Sequence, residues 1–351
     1  MRRTVAQLAV LTALVLTGCD DVLLFDVAAD GRVLAPIDGA GKVVALGDGS
    51  TPRHLVTLDL ATGEAQRFTS VPLRMSWPRW CGDAVTLVED RNCLILLGAD
   101  GARRRLFETD PQQRLVQPTP SPSGERVAVL EVAQPGLPGV LHVVEVASGA
   151  VGEPLDGVLL GFAWTRDADG EALLVARVGA RDAEEARPFE GGQGEVLLVR
   201  GGTRRTLFRG QLAGVTWLAP TGRDVVATLA APGAPQALGL ARLSLDRPGA
   251  AAGERADGLD LWPSADARGQ VLFTRSRPGL PTLEGELRLT RADALAPSRR
   301  VPTPGPVCAP RWVGERVAYL TPDDRLISQE LEGGDLVDWT ERLAALAGDH
   351  E

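Results

Sequence analysis

Short apolar runs recur along the chain, each entered through a glycine and set off by polar, Gly- and Pro-rich stretches. Arg32-Val33-Leu34-Ala35 follows Gly31, Ala84-Val85-Thr86-Leu87-Val88 follows Gly82, and Arg126-Val127-Ala128-Val129-Leu130 follows Gly124. Comparable runs follow Gly170, Gly222, Gly269 and Gly314, and these seven glycines lie 42 to 52 residues apart. Apolar runs this short, bounded by Gly and Pro, predict buried strands rather than helices. Each is followed by a hairpin pattern. The clearest is Leu55 to Leu60, a turn at Ala61-Thr62-Gly63-Glu64, and Ala65 to Thr69. Gly101, Gly149 and Gly201-Gly202 occupy equivalent turns, where tight hairpins need a positive φ. One strand before the glycine, one after it and a hairpin make four strands per repeat. The expected fold is all-β: a β-propeller of seven four-stranded blades, with six or eight as counts the spacing also allows. An array of β-sandwiches needs repeats nearer ~100 residues.

Some repeats are near-copies of one another. Pro78-Arg79-Trp80-Cys81-Gly82 parallels Pro310-Arg311-Trp312-Val313-Gly314, and Gly-Glu-Arg-Val-Ala stands at both 124–128 and 314–318. Trp77, Trp80, Trp164, Trp217, Trp262 and Trp312 all fall a few residues before a repeat glycine. A ligand site has no need to recur around a ring, so these rings are expected as wedges between blades. Arg103-Arg104-Arg105, Arg204-Arg205 and Arg299-Arg300 fall on outer strands. They read as charged edges that block sheet-to-sheet association, with a basic partner surface as the alternative.

The stretch Ser121-Pro122-Ser123-Gly124-Glu125-Arg126-Val127-Ala128-Val129-Leu130 resembles the Ser-Pro-Asp-Gly-Lys-Arg-Ile-Ala-Phe repeat of TolB-like and WD-repeat-like bacterial propellers. Leu58-Asp59-Leu60-Ala61-Thr62-Gly63-Glu64 is similar to their following strand pair. The repeat type extends over residues 22–338. TolB carries an α/β domain ahead of its propeller, whereas here the strand pattern starts almost at Cys19. The resemblance implies a fold and leaves function open.

Ahead of the repeats, Met1-Arg2-Arg3 and the apolar run Val5 to Leu16 read as a signal peptide, too short to span a bilayer. Leu16-Thr17-Gly18-Cys19 resembles a bacterial lipobox, which implies cleavage before Cys19 and its lipidation. Several acyl chains on one residue make a stable anchor. The expected organisation is a lipoprotein signal peptide at 1–18, a β-propeller at 19–338 and a short C-terminal tail at 339–351. The expected location is the bacterial cell envelope, membrane-anchored and facing the periplasm or the outside. Loss of 1–18 turns 37 basic residues into 35 against 46 acidic ones, so the net charge moves from −9 to −11. That balance argues against nucleic acid and against a polybasic membrane surface, leaving the lipid as the only membrane contact. Cys81, Cys93 and Cys308 then remain. Cys81 and Cys93 bracket the predicted strand Ala84 to Glu89, roughly 20 Å long, so no disulfide is expected between them.

Catalytic templates find no match. His54, His142 and His350 show no metal-ligand spacing, and His142 sits mid-strand as a packed residue. Gly-x-Ser-x-Gly elbows, P-loops and dinucleotide fingerprints are missing. Ser264 to Gly269 reads as a turn. No catalytic residue, metal or cofactor is expected. The expected role is a scaffold that binds one or more proteins of the cell envelope. The alternative is a calcium-dependent lactonase or hydrolase using acids at the central channel, drawn from turn acids such as Asp83, Asp90, Asp100, Asp167, Asp169, Asp323 and Asp324. The longest polar insertion, between Gly179 and Gly194, is the candidate partner loop: Arg181, Asp182, Glu184, Glu185, Arg187, Phe189 and Glu190.

Overall fold

The computed structural model describes residues 21–22, 25–28, 30–38, 40–43, 46–47, 51–134, 137–159, 161–179, 192–212, 216–231, 234–247, 251–253, 258–276 and 284–347. Cys19, the segment expected as a signal peptide and the loop residues Arg181 to Glu190 lie outside these. Within the described residues the strands form seven four-stranded antiparallel units, spanning 26–67, 75–108, 114–158, 163–211, 218–253, 259–300 and 308–338, together with one separate pair, Asp21–Val22 with Leu46–Gly47. Single residue pairs, Val158 with Arg177 and Leu238 with Leu259, link units 3 to 4 and 5 to 6. The first strand of each unit touches the first strand of the next, and the circuit closes from Cys308–Val313 back to Asp26–Val27. First strands therefore ring an axis and fourth strands face outward, the arrangement of a β-propeller.

The repeat glycines do what the pattern predicts. Gly31, Gly82, Gly124, Gly170, Gly222, Gly269 and Gly314 all have positive φ at the turn between first and second strands. The second strands are the buried ones; Arg126–Val132, for example, presents Val127, Ala128, Val129 and Leu130 to units on both sides. Because a blade packs both faces against neighbours, its central strands read as continuous apolar runs.

The tryptophans are the wedges between units. Trp80 of unit 2 is 9% exposed, lies under Arg32 of unit 1 and meets Phe68, just after the last strand of unit 1, edge-on at 5.9 Å. Trp164 of unit 4 lies under Arg126 of unit 3 and donates its indole N–H to the Thr119 carbonyl at 2.8 Å. Trp312 of unit 7 does the same to Ser264 of unit 6 at 3.0 Å. The outer arginines tie units together rather than simply charging an edge. Arg104 donates to the carbonyls of Val146 and Ala147 in unit 3, Arg205 to that of Leu245 in unit 5, and Arg299 pairs with Glu332 of unit 7 at 3.0 Å. The carbonyls of Val146, Ala147 and Leu245 belong to turns of the following unit and have no ladder partner of their own.

Among the described residues, units 7 and 1 meet without exchanging a strand. Phe25, Val33 and Ile37 pack with Val313, Ala318 and Leu320, and the Val43 N–H donates to the Asp324 carbonyl at 3.0 Å. The segment expected as a tail carries the helix Thr340–Ala347. Asp338 accepts the Thr340 N–H at its start, Leu343 is 0% exposed, and Arg67 of unit 1 donates to the Leu346 carbonyl at 2.6 Å. Gly41 lies so close that an added Cβ would stand 2.1 Å from the Ala344 nitrogen. The helix thus locks the seam between the last unit and the first.

Candidate functional site: a charged cluster at the axis

Four first strands carry the same irregularity. Trp77, Gln117, Trp262 and Ala309 have φ between 48° and 57°, and each precedes a proline. At each of these places one extra residue enters the first strand relative to its partner, between Ser76 and Arg79, Val116 and Thr119, Leu261 and Ser264, and Cys308 and Arg311. Non-glycine residues rarely adopt this backbone, and it persists only where the surroundings impose it. Proline fits the bulge because the unpaired position needs no N–H. A bulge re-aims the side chains that follow it. In units 2 and 7 the residues that follow are Arg79 and Arg311.

Both arginines flank the first strand of unit 1. Arg79 Nη1 lies 3.5 Å from Asp26 Oδ1 and 3.4 Å from the Phe25 carbonyl, and Asp26 Oδ2 accepts the Trp80 N–H at 2.9 Å. Arg311 donates to the Pro310 carbonyl at 3.1 Å. Burial pushes the Arg311 guanidinium down to about 10, the like charge of Arg79 adds to this, and Asp26 opposes it. At the neighbouring corner, burial and the charge of Asp324 raise the carboxyl of Glu284. Burial likewise drives the Cys308 thiol up to about 12, with Glu284 and Asp324 adding to it. A thiol held this high is a poor nucleophile.

Other charges are absorbed structurally. Asp260 is fully buried and takes two hydrogen bonds from Arg275, at 2.7 and 2.9 Å. Asp100, Asp167 and Asp266 accept backbone N–H groups two residues on, closing their own turns. The turn read at Ser264 to Gly269 is confined to Asp266–Gly269, since Ser264 and Ala265 end the paired strand Leu259–Ala265. His142 contacts Glu131 at 2.7 Å and packs on Phe107. Cys81, Cys93 and Cys308 are free and buried. Among the described residues, no three His, Cys, Asp or Glu come together as a metal site. None of the described helices is long and apolar enough to cross a membrane.

A cleft of about 320 Å³ is lined by Arg177, Gly179, Gln193, Glu195 and Arg209. Burial raises the Glu195 carboxyl, but Thr206, Arg177 and Arg209 outweigh it and hold it below its ordinary range. The axial cluster was not legible as a site in the sequence. The repeated Pro-Arg-Trp and the recurring X-Pro pairs were its visible traces.

With this geometry in hand, the chain is a β-propeller, and solved structures agree. It is similar to the β-propeller domain of the Trilobed protease from Pyrococcus furiosus, with a TM-score of 0.63 and 11% identity over 91% of this chain and 95% of that one. It is similar to acylaminoacyl peptidase of Pyrococcus horikoshii at 0.60 and 12% over 91% of this chain, but spans only 52% of that protein. BamB from Moraxella catarrhalis follows at 0.54 and 13%, with coverages of 88% and 83%. Identities this low define a shared fold alone. No protein-family model and no curated protein matches the sequence.

Proposed function

We propose that this chain is a lipid-anchored, non-catalytic β-propeller that binds another protein in the bacterial cell envelope, and that its seven four-stranded units are the full set of blades. Cys19 is the anchor, and the insertion carrying Arg181, Asp182, Glu184, Glu185, Arg187, Phe189 and Glu190 contributes to the contact. The observation that supports binding over chemistry is the state of the reactive groups. The three described cysteines are buried, His142 is committed to Glu131, and buried acids such as Asp260 are spent on arginine pairs. Loops carried on a rigid scaffold suit recognition. BamB shares the fold at a TM-score above one half, which is compatible with this reading and carries no function over.

One observation favours the second reading, an enzyme of the channel. Burial, and after it the charge of Asp324, raises the Glu284 carboxyl above its ordinary range. The test has two arms. Cys19→Ser should abolish acylation and release the protein from membranes, and an acylated or still membrane-bound variant ends the anchor assignment. Deleting 181–190 should leave the melting temperature nearly unchanged while reducing recovery of the partner that cross-links to the intact protein. Calcium-dependent turnover of lactones or phosphoesters by the intact chain, lost with chelator, would replace this reading with the second.

A further inference from the structure

Pro-Arg-Trp occurs twice in the chain, and the ring brings both copies to one place. Arg79 stands on the first strand of unit 2 and Arg311 on that of unit 7, so they approach unit 1 from its two sides. On each strand the adjacent tryptophan turns back between units, Trp80 toward Phe68 and Trp312 toward Ser264. That leaves the arginines on the axial side. The acid between them is Asp26. One of its oxygens is occupied by the Trp80 N–H at 2.9 Å, and the other meets Arg79 only at 3.5 Å. Arg311 donates to its own neighbour's carbonyl, and among the described residues no carboxylate lies within ion-pair range of it.

From this arrangement we propose that the axial end of unit 1 binds a carboxylate group, gripped between the guanidinium groups of Arg79 and Arg311. Two cations against one acid leave a net positive charge with several unused N–H donors. The planar guanidinium fork matches a carboxylate in a bidentate pose. Partial burial spares such a contact from the screening that weakens exposed pairs. Arg311 is held in that position against its own desolvation, with Arg79 adding to the strain. Two like charges held together at a part-buried site destabilise the empty protein, and an incoming anion neutralises them. The site stands independently of how the rim loops are used.

The experiment titrates the purified chain with citrate and with a short peptide bearing a free or an amidated C-terminus. The buffer is free of other oxyanions, and binding is read by calorimetry and thermal unfolding. Binding of citrate assigns a small carboxylate. Binding of the free-acid peptide but not its amide assigns a polypeptide terminus. In either case Arg311→Met should weaken binding at least tenfold while the empty variant melts at or above the native temperature. Arg79→Lys keeps the charge but loses the fork, and should weaken binding while folding normally, which keeps the test open if Arg311→Met fails to fold. The proposal is overturned if no carboxylate binds, or if sulfate and the amidated peptide bind equally well. It is also overturned if Arg311→Met melts lower than the native protein, or if either variant binds as before.

Discussion

Gly41→Ala tests how the ring is sealed. Gly41 has a φ of 75°, a region that costs an alanine about 1–2 kcal/mol by itself. Its new Cβ would stand 2.1 Å from the Ala344 nitrogen and 2.3 Å from the Ala344 Cα. Both are backbone atoms of the helix Thr340–Ala347, so no rotamer change relieves the clash and the helix must shift. Shifting it exposes Leu343, which is fully buried, at a cost of about 1.5–3 kcal/mol. The full-length variant should therefore lose about 3–5 kcal/mol in urea denaturation. In a chain ending at Trp339 the clash partner is gone and only the backbone cost of about 1–2 kcal/mol should remain. Limited proteolysis should also cut the helix of the variant faster than that of the native chain. Equal losses in the long and short chains would refute the reasoning, since the two sites would then be uncoupled.

Trp80→Ala should cost about 3–5 kcal/mol, because the ring fills the seam between units 1 and 2 and leaves a cavity there; an unchanged melting midpoint would place it at the surface. Arg104→Ala should cost about 1 kcal/mol, discounted for its exposure, by freeing the Val146 and Ala147 carbonyls. If instead it only promotes aggregation, the residue is an edge guard and the inter-unit tie is wrong. Burial raises Glu171, but Ser123, Arg126 and Arg166 outweigh it and hold its carboxyl below the usual range. Its contribution is thus complete above the unfolded value of about 4.3 and is lost as pH falls through the lower folded one. Melting curves of Glu171→Gln should therefore lose part of the native acid sensitivity between about pH 5 and 3, and parallel curves would count against the assignment.

The strand pattern, the four-strand repeat, the glycine turns and the role of the tryptophans were all legible in the chain itself. Each depends on chemistry within a few residues: alternation of burial, the positive φ of a turn, the bulk of a ring placed at one slot per repeat. Segment 339–351 looked like a tail because eight residues of Thr340–Ala347 carry too weak a pattern to announce a docking helix. Its fit depends on Gly41 and Arg67, at the opposite end of the sequence. The outer arginines looked like edge charges for the same reason, since the carbonyls they satisfy belong to the next unit.

The axial cluster makes the division clearest. Sequence alone determined that Pro-Arg-Trp is repeated and that proline follows Trp77, Gln117, Trp262 and Ala309. It did not determine that those four residues turn left-handed, because no local preference favours that backbone; the ladder on either side imposes it. Nor did it bring Arg79, Arg311 and Asp26 together. Residues so far apart along the chain meet only when the last unit closes on the first, and closure is a property of the ring's tertiary packing.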